Sequence, residues 1–128
     1  MTTRASGTFE VKLSPQPADA EPVLSRLLID KQFSGDLAGT SKGEMLAIGT
    51  EIPNSAGYVA MERVTASLHG RSGSFALQHS GTMDRGTPSL SVTVVPDSGT
   101  GDLEGLVGTM SIDISDGKHS YALEYVLP

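Results

Sequence analysis

Among the side chains able to do chemistry, Glu62 and His79 come first. A carboxylate beside an imidazole orients the ring and raises its basicity, as general acid/base catalysis requires. The same two residues could instead be a satisfied polar contact in a packed interior, because buried polar groups are hydrogen-bonded whatever their role. Tyr58, His119 and Tyr121 join them as candidate ligand-binding residues, although a buried Tyr commonly supplies apolar area with its hydroxyl satisfied. Lys31 shares the strand parity of Ile29 and Phe33 and could pair inward with Glu44 or Glu62. The expectation is a solvated Lys, since Lys is rarely fully buried. Imidazole and carboxylate suit zinc or iron, but His79, His119 and Glu62 match no compact ligand spacing, so neither a metal nor a cofactor is expected. The string Gly39-Thr40-Ser41-Lys42-Gly43 spells a nucleophile elbow. That motif works on a strand-to-helix turn, whereas a strand follows here. Nor is Gly99-Thr100-Gly101 followed by Gly105 a dinucleotide fingerprint, because the spacing fails and no helix opens after it.

The elements that must position these residues are strands. Period-two alternation recurs along the chain and no stretch sustains a helical period. About eight strands are expected in a single domain over residues 1–128. In the first, Gly7, Phe9, Val11 and Leu13 alternate with Thr8, Glu10 and Lys12, and Pro15 and Pro17 end it. The second is read over residues 23–33 and the third over 40–50. Their inward faces stay open: Leu27, Ile29 and Phe33 compete with Leu24 and Leu28, and Met45 and Ala47 with Leu46 and Ile48. Strands four and five meet at Gly70-Arg71, where a two-residue loop would set Ala66 opposite Phe75, Val64 opposite Leu77, Glu62 opposite His79 and Tyr58 opposite Met83. A four-residue loop would shift these pairs by two and keep the same residues on the buried face, so Glu62 and His79 point inward either way. Strand six covers residues 90–95. The dipeptide Asp116-Gly117 is a preferred type I′ turn; it pairs Ile114 with His119, Ile112 with Tyr121, Met110 with Leu123 and Gly108 with Tyr125.

Eight antiparallel strands can close into an up-and-down barrel, which removes the sheet edges that invite aggregation. Gly inside strands, at 43, 49, 57, 73, 81 and 108, favours that closure over a two-sheet sandwich, because coiling and tight bends need it. The stretches Ser34-Gly35-Asp36-Leu37-Ala38-Gly39 and Thr100-Gly101-Asp102-Leu103-Glu104-Gly105 repeat 66 residues apart. They fall after strands two and six, so both belong to one end of the barrel, where Leu37 and Leu103 could act as plugs and each Asp could accept bonds from its own loop's amides. The other end is then the open mouth, ringed by Tyr58, Glu62, His79, His119 and Tyr121. An apolar pocket with a few convergent polar groups is the usual form of a small-ligand site.

Composition narrows the classes of function. With no Cys there is no disulfide, thiolate site or cysteine nucleophile. Nine Lys and Arg against fifteen Asp and Glu give a net charge of −6, which argues against nucleic acid. No apolar run approaches the roughly 20 residues that span a bilayer, and the first residues lack the apolar stretch of a secretory signal. A cytoplasmic protein is therefore expected. Val59 and Met61 should lie on the barrel's outer surface, where apolar residues suggest a subunit contact in a homodimer or homotrimer.

The stretches 30–37, 39–45, 58–64, 75–81 and 90–101, which read DKQFSGDL, GTSKGEM, YVAMERV, FALQHSG and LSVTVVPDSGTG, resemble a bacterial family of unknown function grouped with allene oxide cyclase-like barrels. The resemblance spans nearly the whole chain and implies an eight-stranded barrel. Allene oxide cyclases and dirigent proteins steer cyclisation or coupling of reactive small molecules inside the barrel, and cyclases of that kind commonly form trimers. None of their catalytic residues is carried over to a position in this chain. Three readings follow: a barrel that binds a small, partly apolar molecule; an isomerase or cyclase using Glu62 and His79 for proton transfer; and a structural barrel filled by its own side chains.

Overall fold

The computed structural model describes residues 2–17 and 24–128. Eight antiparallel strands close into one barrel in chain order: β1 (Thr3–Pro15), β2 (Ser25–Gly35), β3 (Leu37–Gly49), β4 (Ala56–Leu68), β5 (Arg71–Asp84), β6 (Thr87–Val94), β7 (Val107–Ser115) and β8 (Lys118–Val126). β8 pairs back onto β1, setting Tyr121 opposite Gly7 and His119 opposite Phe9. Val23, expected to open strand two, and most of the expected turn before it lie outside the described residues.

Side chains alternate in and out along each strand, as the pleat requires, and the alternation decides the two ambiguous faces. Ile29, Lys31 and Phe33 point inward on β2, while Leu28 is exposed. On β3 the inward row is Leu37, Ser41, Met45 and Ala47, and Leu46 and Ile48 face out. The interior is filled chiefly by Phe9, Phe33, Val64, Phe75, Leu77, Val92, Met110 and Leu123. At roughly 1.5–3 kcal/mol for each large apolar side chain removed from water, this row supplies the main driving force for closure.

The β7–β8 hairpin has the register read from Asp116-Gly117. Both turn residues have positive φ, 53° and 75°, the type I′ geometry that matches strand twist. The β4–β5 hairpin departs from expectation. Its loop is His69-Gly70, not Gly70-Arg71, so Leu68 pairs with Arg71, Val64 with Phe75, Glu62 with Leu77, Ala60 with His79 and Tyr58 with Gly81. His69 takes φ 48° and Gly70 φ 81°. Here a His occupies the left-handed position that had been assigned only to Gly. The pairs shift by two, so every side chain keeps its face.

The two ends of the barrel differ. At one end Leu37, Leu68, Leu103 and Leu106 are wholly enclosed, and a short 3₁₀ turn, Gly101–Leu103, folds beneath β5. The paired Leu37 and Leu103 thus plug this end as their repeat suggests. Asp36, however, accepts a bond from the Ser6 amide on β1 and not from its own loop. Gly73 permits the crossing, because a Cβ there would stand 2.0 Å from the Thr100 carbonyl oxygen. The opposite end, the expected mouth, carries the β3–β4, β5–β6 and β7–β8 turns among the described residues. Among the described residues no helix is long and apolar enough to cross a membrane.

Candidate functional site

A charged cluster occupies the middle of the barrel. Glu62 projects inward from the centre of β4, with Lys31 reaching it from β2, Ser41 from β3 and His79 from β5. Lys31 Nζ donates to Glu62 Oε2 at 2.8 Å, His79 Nε2 lies 2.6 Å from the same oxygen, and the Ser41 hydroxyl donates to Oε1 at 2.8 Å. All four are buried: Lys31 is 8%, Ser41 2%, Glu62 2% and His79 4% exposed. Lys31 also lies over the Phe9 ring, 4.8 Å from its centroid, and this cation–π contact helps replace lost hydration. Gly43 sits opposite Glu62 and lets the chains approach, since a Cβ there would stand 2.1 Å from the Met61 carbonyl oxygen.

Burial alone would raise the Glu62 carboxyl. The His79 hydrogen bond, with the charge and hydrogen bond of Lys31, outweighs burial and holds it down at about 2. Glu62 is therefore ionised at neutral pH and offers its neighbours only acceptors. Lys31 is a correction to the sequence expectation of a solvated side chain. Its partner is Glu62, while Glu44 pairs on the outer surface with Arg26 at 2.7 Å.

Above this cluster, toward the mouth, lies a cavity of about 370 Å³ lined by Met45, Ala47, Tyr58, Met83, Leu90 and Ile114 among others. Its walls are almost wholly apolar. Tyr58 forms the floor on the β4 side, with its ring laid across Gly81: a Cβ at Gly81 would stand 2.4 Å from the ring edge. The imidazole of His79 follows, its centroid 6.4 Å from that of Tyr58. Burial, then the Glu62 charge, pushes the Tyr58 phenol up, so its hydroxyl stays protonated at neutral pH.

The five residues expected to ring the mouth divide between levels. Tyr58 lines the cavity, and Glu62 and His79 lie together beneath it. His119 is at the mouth end on another wall, its ring 5.2 Å from that of Phe9, and does not join the Glu62–His79 cluster. Tyr121 belongs to the closed end, contrary to its expected place. Its hydroxyl accepts from the Leu37 amide at 2.9 Å and lies 3.0 Å from the carbonyl oxygens of both Ser34 and Leu37. Gly7 and Gly35 clear its path, since a Cβ on either would crowd that hydroxyl. Tyr125 is likewise engaged there, 2.6 Å from His69 Nδ1. Among the described residues no three His, Asp or Glu side chains are grouped as metal ligands. Ser41, in the string that spells a nucleophile elbow, is the cluster residue not expected from the sequence; its inward parity with Leu37 is the available signal. Val59 and Met61 stand on the outer surface beside Leu46, 53% and 50% exposed.

The family model for DUF3224, proteins of unknown function, matches residues 5–125. The chain belongs to the DUF3224 family. A crystal structure of a DUF3224 protein of unknown function from Shewanella oneidensis MR-1 is 46% identical, with a TM-score of 0.95, covering 100% of this chain and 98% of that one. Comparison with curated proteins gave no match. This DUF3224 barrel therefore shares its full architecture with a solved relative, and the resemblance to a barrel family of unknown function holds.

Proposed function

We propose that this DUF3224 protein binds a small, partly apolar molecule in the barrel mouth. The reading rests on one observation: a cavity of about 370 Å³ with apolar walls lies at the mouth end and is lined by Tyr58, whose ring stands 6.4 Å by centroids from the imidazole of the buried His79. Small-ligand sites are commonly cavities of about 300–1,000 Å³ with a few convergent polar groups. The structural alternative is a barrel filled by its own side chains, and the apolar space at the mouth end favours the binding reading over it. The test is native mass spectrometry of the purified protein, which reports a retained molecule and the subunit number together, followed by the same measurement on Leu90→Trp. The wild type should carry a small-molecule adduct that Leu90→Trp, with its mouth filled, lacks. An adduct retained equally by the filled variant would place binding elsewhere.

The 2.6 Å contact between Glu62 and His79 supports a second reading, proton transfer by His79 on a bound molecule, as in an isomerase. In that case His79→Gln, which keeps an acceptor but cannot shuttle a proton, retains binding and abolishes turnover. Loss of both together would count against it.

A further inference from the structure

The barrel wall is not equally closed all round. β6 and β7 meet in two residue pairs, Val92 with Met110 and Thr93 with Thr109, whereas β6 pairs with β5 over eight residues and β7 with β8 over nine. Continued toward the mouth, the same register would set Ser91 opposite Ser111, Leu90 opposite Ile112 and Pro88 opposite Ile114, and none of these pairs forms. Burial records the split. Val92 and Met110, inward at the last pair, are 2% and 5% exposed, while Leu90 and Ile114, on the same inward parity beyond it, are 43% and 63% exposed. The sequence contributes to the split at Pro88. Backbone groups of an antiparallel strand turn to its two neighbours alternately, and the Val95 amide donates to the Ala76 carbonyl oxygen on β5 at 2.9 Å, so the even-numbered residues of β6 face β7. Pro88 holds one of those positions and has no N–H to donate. The cavity reaches this gap: Pro88, Ser89 and Leu90 line it from β6 and Ile114 from β7.

We infer that a small molecule enters and leaves the cavity through the barrel wall, between residues 88–91 of β6 and 111–114 of β7, and that parting of this seam sets the rate of exchange. The inference rests on the binding reading above and adds its route. Parting the wall here breaks no cross-strand pair above Val92 and Met110, whereas parting β5 from β6 or β7 from β8 would break a continuous ladder. Segments with few such bonds open at the lowest free energy. Leu90 and Ile114 give the opening apolar flanks, so a partly apolar molecule stays in apolar contact as it passes.

The experiment staples the seam. The chain has no Cys, so Ser91→Cys with Ser111→Cys allows a single bridge between β6 and β7. Both serines are exposed and neither lines the cavity, so the bridge leaves its walls untouched. Thr8→Cys with Ser120→Cys, opposite each other in the β1–β8 ladder, is the control. Exchange of 2-naphthol with each full-length protein, oxidised and reduced, is measured from NMR line shapes. Bridging β6 to β7 should slow entry and release at least about tenfold, reversibly on reduction, with the Kd changed less than about threefold; bridging β1 to β8 should change neither rate. Where oxidation leaves the thiols free, a two-carbon bis-thiosulfonate joins them across a wider gap. Without any ligand, the Leu90 amide proton of the wild type should exchange with deuterium at least about a hundredfold faster than that of Val92. Equal rates in the bridged and reduced forms, equal slowing by both bridges, or Leu90 as protected as Val92 overturns the inference and leaves the binding reading standing. Failure of the wild type and the reduced variants to bind 2-naphthol overturns both.

Discussion

Replacing Glu62 by Gln tests the buried cluster most severely, because Gln keeps the shape and removes the charge. With a folded value of about 2 against an ordinary 4.5, and about 1.4 kcal/mol per pH unit, the ionised carboxyl contributes roughly 3 kcal/mol to stability. A depressed carboxyl stabilises above its unfolded value, and the contribution drains away as pH falls from about 4.5 toward about 2. At neutral pH the variant also leaves the Lys31 ammonium buried without its counter-charge, and breaking such a pair costs about 3–5 kcal/mol. Urea unfolding of both proteins across the acid range is the assay. Glu62→Gln should be several kcal/mol less stable than wild type at neutral pH, with the gap closing by about 3 kcal/mol by pH ~2. Adding Lys31→Met should recover much of the loss, since replacing a buried pair by neutral side chains is often tolerated. A gap that stays constant with pH, or a double variant as unstable as the single one, would refute the electrostatic reasoning.

Two further substitutions test the frame around the site. Tyr121→Phe removes the hydroxyl that holds the Ser34 and Leu37 backbone at the closed end; leaving those groups unpaired should cost about 1–3 kcal/mol in thermal or urea unfolding, with binding at the mouth unchanged. Gly117 and Gly49 both have open space where a Cβ would stand, but only Gly117 has positive φ, at 75°. Gly117→Ala should therefore cost about 1–2 kcal/mol through backbone strain, while Gly49→Ala should be neutral or stabilising by up to about 1 kcal/mol. Equal effects at the two positions in matched denaturation curves would contradict the turn assignment.

The parts of this molecule governed by local rules were legible in the residues. Alternation identified the strands, and Asp116-Gly117 fixed a hairpin whose pairs, from Ile114 with His119 to Gly108 with Tyr125, match the observed register. The β4–β5 register was displaced because His69 takes a left-handed conformation, which sequence reasoning reserved for Gly. Parity survived that displacement, so Glu62 and His79 were still placed inside. What stayed hidden depends on closure. Lys31 and Glu62 stand on strands that are not neighbours, and only the curvature of the barrel brings them to 2.8 Å. Tyr121 follows the same logic: two glycines far apart in sequence, Gly7 and Gly35, open the route by which its hydroxyl reaches the closed end.

Methionine methyl groups provide the most direct test that the mouth is a binding site. Met45 and Met83 line the cavity, Met61 stands on the outer surface and Met110 is buried in the core. In protein labelled with ¹³C at its methionine methyls and titrated with 2-naphthol, the resonances of Met45 and Met83 should move together and saturably. Those of Met61 and Met110 should stay in place. Movement of Met61 with Met45 and Met83 unchanged, or no saturable change at any of the four, would contradict ligand binding in the barrel mouth.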